Sequence, residues 1–101
     1  MEILDDKIHL WHENVIFVKA KPGVYVLYDK NEDIIYIGES ENLETEFTKC
    51  YFSKFDNDAC KQKTTSYQRE FVENPKERKR QLLEEFKKKH GKIPCCNADD
   101  N

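Results

Sequence analysis

The apolar and polar positions in the middle of the chain predict a small sheet. Residues 24–29 are apolar at nearly every position, which is typical of a strand that packs on both faces. A polar turn at 31–33 leads into a second apolar run at 34–37, so we predict a β-hairpin. Residues 66–72 alternate between apolar and polar side chains and predict a third strand. The pattern therefore predicts a three-stranded antiparallel sheet.

Helical periodicity is found before, between and after these strands. In the lead, Ile3, Leu4, Ile8 and Trp11 fall near one helical face and predict a weak amphipathic helix that ends around Glu13. A second helix is predicted after the hairpin and a third near the end of the chain. The expected fold class is α+β, a small three-stranded antiparallel sheet flanked by helices.

The two later helices carry recognisable start and stop signals. Ser40 can cap the second helix, whose apolar positions recur at four-residue steps to about residue 52. Residues 56–65 are polar and predict a loop. The pair Asn74 and Pro75 predicts the start of the third helix, and Gly91 predicts its end.

Length and composition favour a single domain with a thin core. The chain has 101 residues, of which 38% are hydrophobic and 37% charged. We divide it into a helical lead at 1–21, a core at 22–97 and an acidic tail at 98–101. The longest apolar runs, 15–18 and 24–28, are far below the roughly 20 residues that a membrane span requires. The acidic amino terminus does not resemble an export signal, so we expect a cytoplasmic protein without membrane contact.

The cysteines are expected to be reduced thiols. Without an export signal, a disulfide scaffold is not favoured for Cys50, Cys60, Cys95 and Cys96. These residues and His90 could supply zinc ligands, but the sequence contains no CxxC pair. The sequence alone therefore argues against a zinc site.

Two tripeptides carry the most specific signal in the chain. Gly-Val-Tyr at 23–25 and Tyr-Ile-Gly at 36–38 lie on the two predicted hairpin strands. Asn-Leu follows at 42–43 in the next helix, and Pro-Cys-Cys-Asn closes the core at 94–97. In this order and spacing, the segment 22–97 resembles the GIY-YIG nuclease domain.

The resemblance implies hydrolysis of a phosphodiester in DNA or RNA. In this family one motif tyrosine, Tyr25 or Tyr36 here, helps to activate water, and the terminal motif asparagine corresponds to Asn97. A glutamate on the last long helix holds a divalent metal, Mg²⁺ or Mn²⁺, and an arginine stabilises the pentacovalent phosphate. Metal and guanidinium both neutralise charge that builds on the phosphoryl oxygens.

The position of the family arginine is occupied by Glu46, eight residues beyond Gly38. Loss of one preorganised donor to a transition state costs roughly 100-fold to 1,000-fold in rate, and a carboxylate adds repulsion. We therefore expect nuclease activity to be impaired or lost. The alternative is an inactive module that binds nucleic acid or a protein. A basic protein partner could meet the acidic surface formed by Glu39, Glu41, Glu44 and Glu46.

The metal glutamate has three possible positions. Counting back from Asn97 by the family spacing gives Glu85, which we take as the first choice, and the preceding Leu-Leu-Glu pattern gives Glu84. A third alignment, which pairs 82–83 with the apolar pair that follows the family glutamate, places Lys79 there. All three could equally belong to a solvated helix face.

The charge distribution leaves nucleic-acid binding open. The whole chain has a net charge of −3, unlike most phosphate-binding domains. Residues 75–92 nevertheless carry eight basic against three acidic residues. This helix could contact a phosphate backbone or could be a solubilising surface. The candidate binding residues are Lys76, Arg78, Lys79, Arg80, Lys87, Lys88 and Lys89.

Overall fold

The fold is an α+β arrangement of one antiparallel sheet between two helices. A computed structural model describes residue 4 and the ranges 6–14 and 18–99. In chain order the main elements are β1 (His9–Leu10), α1 (Trp11–Asn14), β2 (Gly23–Tyr28), β3 (Ile34–Ser40), α2 (Leu43–Ser53), β4 (Ser66–Phe71) and α3 (Pro75–His90). Two short 3-10 turns, Phe55–Asn57 and Lys61–Lys63, lie between α2 and β4, and a third, Cys95–Asp99, follows α3.

The sheet has four strands, in the order β1-β4-β2-β3, so the prediction of three strands was wrong. The extra strand comes from the lead, where His9 pairs with Tyr67 and Leu10 with Ser66. Strand β1 is followed by a single helical turn, α1. Over the described residues, the prediction of an amphipathic lead helix was therefore wrong. Ile3, one of the four residues on which that prediction rested, lies outside the described part.

Strand β2 is central and is covered on both faces, as its continuous apolar sequence predicts. On one face Leu27 packs in a cluster with Phe47 of α2. On the other face Val26 packs in a cluster with Leu82 and Phe86 of α3. All six residues of β2 are buried. The hairpin prediction is confirmed, since β2 and β3 pair antiparallel along their length.

Helix ends follow local capping chemistry, with one correction. The Asn42 side chain caps α2 by accepting from the Thr45 N–H at 3.1 Å, in place of the expected Ser40. The Ser40 hydroxyl instead accepts the Asn42 N–H and so stabilises the approach to the helix. The start of α3 at Asn74 and Pro75 is confirmed. Its stop at Gly91, which has φ 78°, is confirmed as well.

A disulfide joins Cys60 to Cys96, which contradicts the expectation that all thiols are free. The bridge lies between the segment before β4 and the closing 3-10 turn, two parts of the chain that sequence spacing does not relate. Cys50 and Cys95 remain free. Over the described residues, every helix is too short or too polar to cross a membrane.

The side chain of Asn97 links the 3-10 turn Cys95–Asp99 to the edge strand β3. Asn97 is buried, and its Oδ1 accepts a hydrogen bond from the Ile37 N–H at 2.8 Å. Its Nδ2 donates to the Ile37 carbonyl at 2.9 Å. Because β3 is an edge strand, these two backbone groups have no strand partner on that side. The Asn97 amide therefore acts as a short substitute for a neighbouring strand.

Replacing Asn97 by alanine should destabilise the fold by about 2–4 kcal/mol, because two buried backbone groups lose their partners. Equilibrium urea unfolding measures this difference in the free energy of unfolding. Asn31→Ala, in the exposed turn between β2 and β3, is the matched control and should change it by less than about 0.5 kcal/mol. Equal effects of the two substitutions would contradict the assigned role of Asn97.

Candidate active site

The two motif tyrosines lie side by side on the α2 face of the sheet. Tyr25 projects from β2 and Tyr36 from β3, with ring centroids 6.0 Å apart, and both are buried. Tyr25 is opposite Gly38 in the strand register. A β-carbon at Gly38 would lie 2.5 Å from the Tyr25 Oη, so only glycine permits this approach. The second glycine of the motif therefore makes room for the phenol of the first tyrosine.

Helix α2 brings a carboxylate to this phenol. Phe47 packs edge-on against the Tyr25 ring at 5.0 Å, which fixes the helix above the strand. The neighbouring Glu46 is half-buried, and its Oε2 accepts a hydrogen bond from the Tyr25 hydroxyl at 3.0 Å. Cys50, one helical turn later, places its Sγ 4.0 Å from the same oxygen. Glu46 is thus directed at the tyrosine pair.

The electrostatics of this group keep its protons in place. Burial is the largest cause of a raised pKa at Tyr25, which lies well above the ordinary value, and the charge of Glu46 is the next cause. Burial, followed by Glu46, also raises the pKa of the Cys50 thiol to about 11. Tyr25 therefore remains a neutral hydrogen-bond donor at neutral pH. It is poorly suited to accept a proton from water.

Two lysines lie over the second tyrosine. The Lys61 Nζ is 4.0 Å from the centre of the Tyr36 ring, and the Lys79 Nζ is 5.9 Å from it. Lys79 belongs to α3 and is the residue that the third alignment placed at the metal position. Lys61 comes from the polar segment before β4, whose sequence predicts only a loop. No local signal identifies it, because its position depends on how that segment folds back over β3.

The carboxylates predicted to bind metal lie on the solvent side of α3. Glu85 pairs with Lys89 at 3.7 Å, and both side chains are 47% exposed. Glu84 pairs with Arg80 at 2.5 Å and is more exposed still, at 64%. Within the described part of the chain, no cluster of three or more possible metal ligands includes a carboxylate.

The remaining residue predicted to be catalytic, Asn97, uses its side-chain amide to hydrogen-bond the backbone. Both polar atoms of its amide bond to Ile37, the residue between Tyr36 and Gly38. It thus positions the strand that carries Tyr36, and this contact supports the site from the side.

The basic residues of α3 divide into paired and unpaired groups. Arg78 forms a salt bridge with Glu70 of β4, at 2.6 Å. Arg80 is held by two glutamates of its own helix, and Lys89 by Glu85. Among the described residues, three exposed lysines of this helix form no salt bridge with any carboxylate, namely Lys76, Lys87 and Lys88.

The acidic surface is smaller than the sequence suggests. Glu41 and Glu44 are exposed, Glu39 is half-buried, and Glu46 turns inward to Tyr25. A cleft of about 500 Å³ is lined by the last turn of α2, including Cys50, and by residues of α1 and of the segment before β4. Its lining includes four aromatic side chains, those of Trp11, Tyr51, Phe52 and Phe55.

Replacing Glu46 by glutamine should lower the pKa of Tyr25, because the charge that disfavours the phenolate is removed. The pKa should stay above the ordinary value, since burial remains. A pH titration followed by NMR of ¹³C-labelled tyrosine measures the shift, and Glu44→Gln on the exposed face is the control. An unchanged Tyr25 pKa would show that the two groups do not interact in solution.

Burial, followed by the charge of Glu46, raises the pKa of Tyr25 in the folded state above its unfolded value. The stability contributed by the neutral phenol is therefore complete below the unfolded pKa of about 10 and is lost as the pH rises through the folded-state pKa, which urea unfolding at several alkaline pH values measures.

Comparisons with known proteins give matches only at the level of structure. No family model matches the sequence, and no curated protein matches it. The magnesium-bound GIY-YIG N-terminal endonuclease domain of UvrC from Thermotoga maritima superposes with a TM-score of 0.59 and 20% identity, covering 86% of this chain and 94% of that one. One tyrosine-to-phenylalanine variant of that domain, bound to its catalytic divalent cation, gives a TM-score of 0.61, 18% identity and the same coverage. An asparagine-to-alanine variant gives 0.58 and 18%, covering 85% and 92%. By fold, this chain is therefore a GIY-YIG-like domain.

Proposed function

We propose that this domain binds the phosphate backbone of a nucleic acid and hydrolyses phosphodiesters slowly or not at all. The observation that carries the proposal is the hydrogen bond from the Tyr25 hydroxyl to Glu46, beside the second motif tyrosine. The fold favours a nucleic-acid ligand, since the similar UvrC domains are endonucleases. The side chains around the two tyrosines disfavour turnover.

The disadvantage for turnover is electrostatic. An in-line attack on a phosphodiester accumulates negative charge on the phosphoryl oxygens, which donors and cations must neutralise. Glu46 presents a carboxylate at the position where the family resemblance places an arginine. It also holds the Tyr25 proton through its own hydrogen bond, so the phenol is not free to accept a proton from water. Both effects raise the barrier to hydrolysis.

The groups around the tyrosines do not fit the divalent cation of the similar endonucleases. Magnesium is bound through oxygen ligands, commonly one or two carboxylates with water. Glu46 is one carboxylate at this place, but it accepts the Tyr25 hydroxyl and belongs to no cluster of possible metal ligands among the described residues. Two ammonium groups, Lys61 and Lys79, lie over Tyr36. Glu84 and Glu85 form ion pairs on the solvent side of α3. We derive no catalytic step through a metal at this site.

Binding, in contrast, has suitable groups. Lys76, Lys87 and Lys88 are exposed on α3 without a carboxylate partner among the described residues, so they can exchange counterions for phosphates. Lys61 and Lys79 add positive charge next to Tyr36. A phosphate backbone that follows α3 would thus meet cations at both ends of the helix.

Wild-type protein should nick supercoiled plasmid slowly or not at all with Mg²⁺ or Mn²⁺, whereas the double variant Glu46→Arg, Lys79→Glu should nick it faster. We expect a gain of roughly 100-fold or more, because a transition-state donor and a metal carboxylate are restored together. The matched control, Glu44→Arg with Lys76→Glu, makes the same charge changes on exposed positions of α2 and α3. Nicking by the wild type at the rate of the double variant, abolished by Tyr25→Phe, would overturn the proposal of impaired turnover.

Binding to labelled DNA and RNA should weaken steeply as salt rises. Replacing Lys76, Lys87 and Lys88 by glutamine should reduce the slope of log K against log salt by about 2–3, since each lost phosphate contact contributes roughly 0.9 for duplex DNA. Fluorescence anisotropy at several salt concentrations measures this slope. Glutamine at the exposed residues Lys7, Lys30 and Lys63 is the control. Equal losses in both triple variants would indicate non-specific attraction without a role for α3.

A further inference from the structure

Three cysteine sulfurs meet at one place outside the tyrosine site. Cys60 precedes the 3-10 turn Lys61–Lys63, and Cys95 and Cys96 begin the closing 3-10 turn. Their three Sγ atoms all lie within 4.8 Å of one another. Cys60 and Cys96 are joined by the disulfide, and Cys95 is free and exposed. The fold therefore gathers three of the four cysteines, from parts of the chain far apart in sequence.

The spacing of the free sulfur matches that of ligands on one metal ion. Sulfur ligands lie about 2.3 Å from a tetrahedral Zn²⁺, which places two such sulfurs about 3.8 Å apart. The Cys95 Sγ is 3.8 Å from the Cys60 Sγ and 4.0 Å from the Cys96 Sγ. Only the third pair is closer, because those two atoms are bonded to each other.

We propose that reduction of the Cys60–Cys96 bond turns this cluster into a metal site, in which three thiolates bind Zn²⁺ or a similar thiophilic cation. A dithiol reductant supplies two electrons and two protons and becomes a disulfide itself, while the Cys60–Cys96 bond breaks to give two thiols. Metal binding then releases the protons of the three thiols. Cys95 is exposed, so solvent can occupy the fourth coordination position.

The bridged and metal-bound states exclude each other, because each uses the sulfurs of Cys60 and Cys96. Both states hold the same two segments together. Cys60 is followed by Lys61, which lies over Tyr36, and Cys96 is followed by Asn97, which bonds to Ile37. Either link, the disulfide or the metal ion, thus keeps the Lys61 and Asn97 contacts beside β3. The site uses soft sulfur ligands and does not depend on the proposed nucleic-acid function.

The test is a cobalt titration of the full chain after anaerobic reduction with a phosphine and removal of the reductant. Reduced wild type should develop near-ultraviolet sulfur-to-cobalt charge-transfer bands with one ion per chain, and Zn²⁺ should displace the cobalt. Protein with the bridge intact should show no such bands. Cys95→Ser should lose them, whereas Cys50→Ser, which removes the thiol outside the cluster, should keep them.

Thermal unfolding of the same reduced samples gives a second readout. Zn²⁺ should raise the melting temperature of the wild type and of Cys50→Ser, because it binds only the folded cluster, and should leave Cys95→Ser unchanged. Circular dichroism confirms that Cys95→Ser folds, as expected for an exposed position. Absence of charge-transfer bands in reduced wild type, or their persistence in Cys95→Ser, would overturn the metal site.

Discussion

The structure depends on a central strand that is buried on both faces. Because α2 packs on one face of the sheet and α3 on the other, the alternate side chains of β2 fill two separate cores. Tyr25 is one of the side chains directed toward α2, and the register with β3 then brings Tyr36 to the same face. The position of the tyrosine pair is thus a consequence of sheet packing. The groups around the pair come from α2, from α3 and from the segment before β4.

The elements that the sequence predicted well are those with local physical causes. Strand β2 is identified by its unbroken apolar run, and α3 by a capping asparagine, a proline and a terminal glycine. Strand β1 has only two residues, too few for any periodicity to be visible, and it exists because β4 offers it an edge. Ser40 and Asn42 both have suitable capping side chains, and only the geometry at the end of β3 selects the second.

The candidate site was predictable only in part, because some of its residues are placed by local structure and others by contacts between distant segments. Glu46 could be placed by counting from Gly38, because the short connection between β3 and α2 leaves little freedom. The metal position could not be fixed in this way, since α3 presents a carboxylate or a lysine at each alternative count, and the structure brings Lys79 to Tyr36. Lys61 and the pairing of Cys60 with Cys96 depend on contacts between distant segments, which a single sequence does not encode locally.

The Cys60–Cys96 bridge also makes part of the molecule a closed covalent ring. The two cysteines are 36 residues apart, and the ring they close contains β4 and α3. In the chain-entropy description such a tether destabilises the unfolded ensemble by about 4 kcal/mol. In the oxidised molecule the segments outside this ring can therefore unfold locally while α3 stays covalently linked to β4 within the ring. The reduced form without metal lacks this covalent constraint.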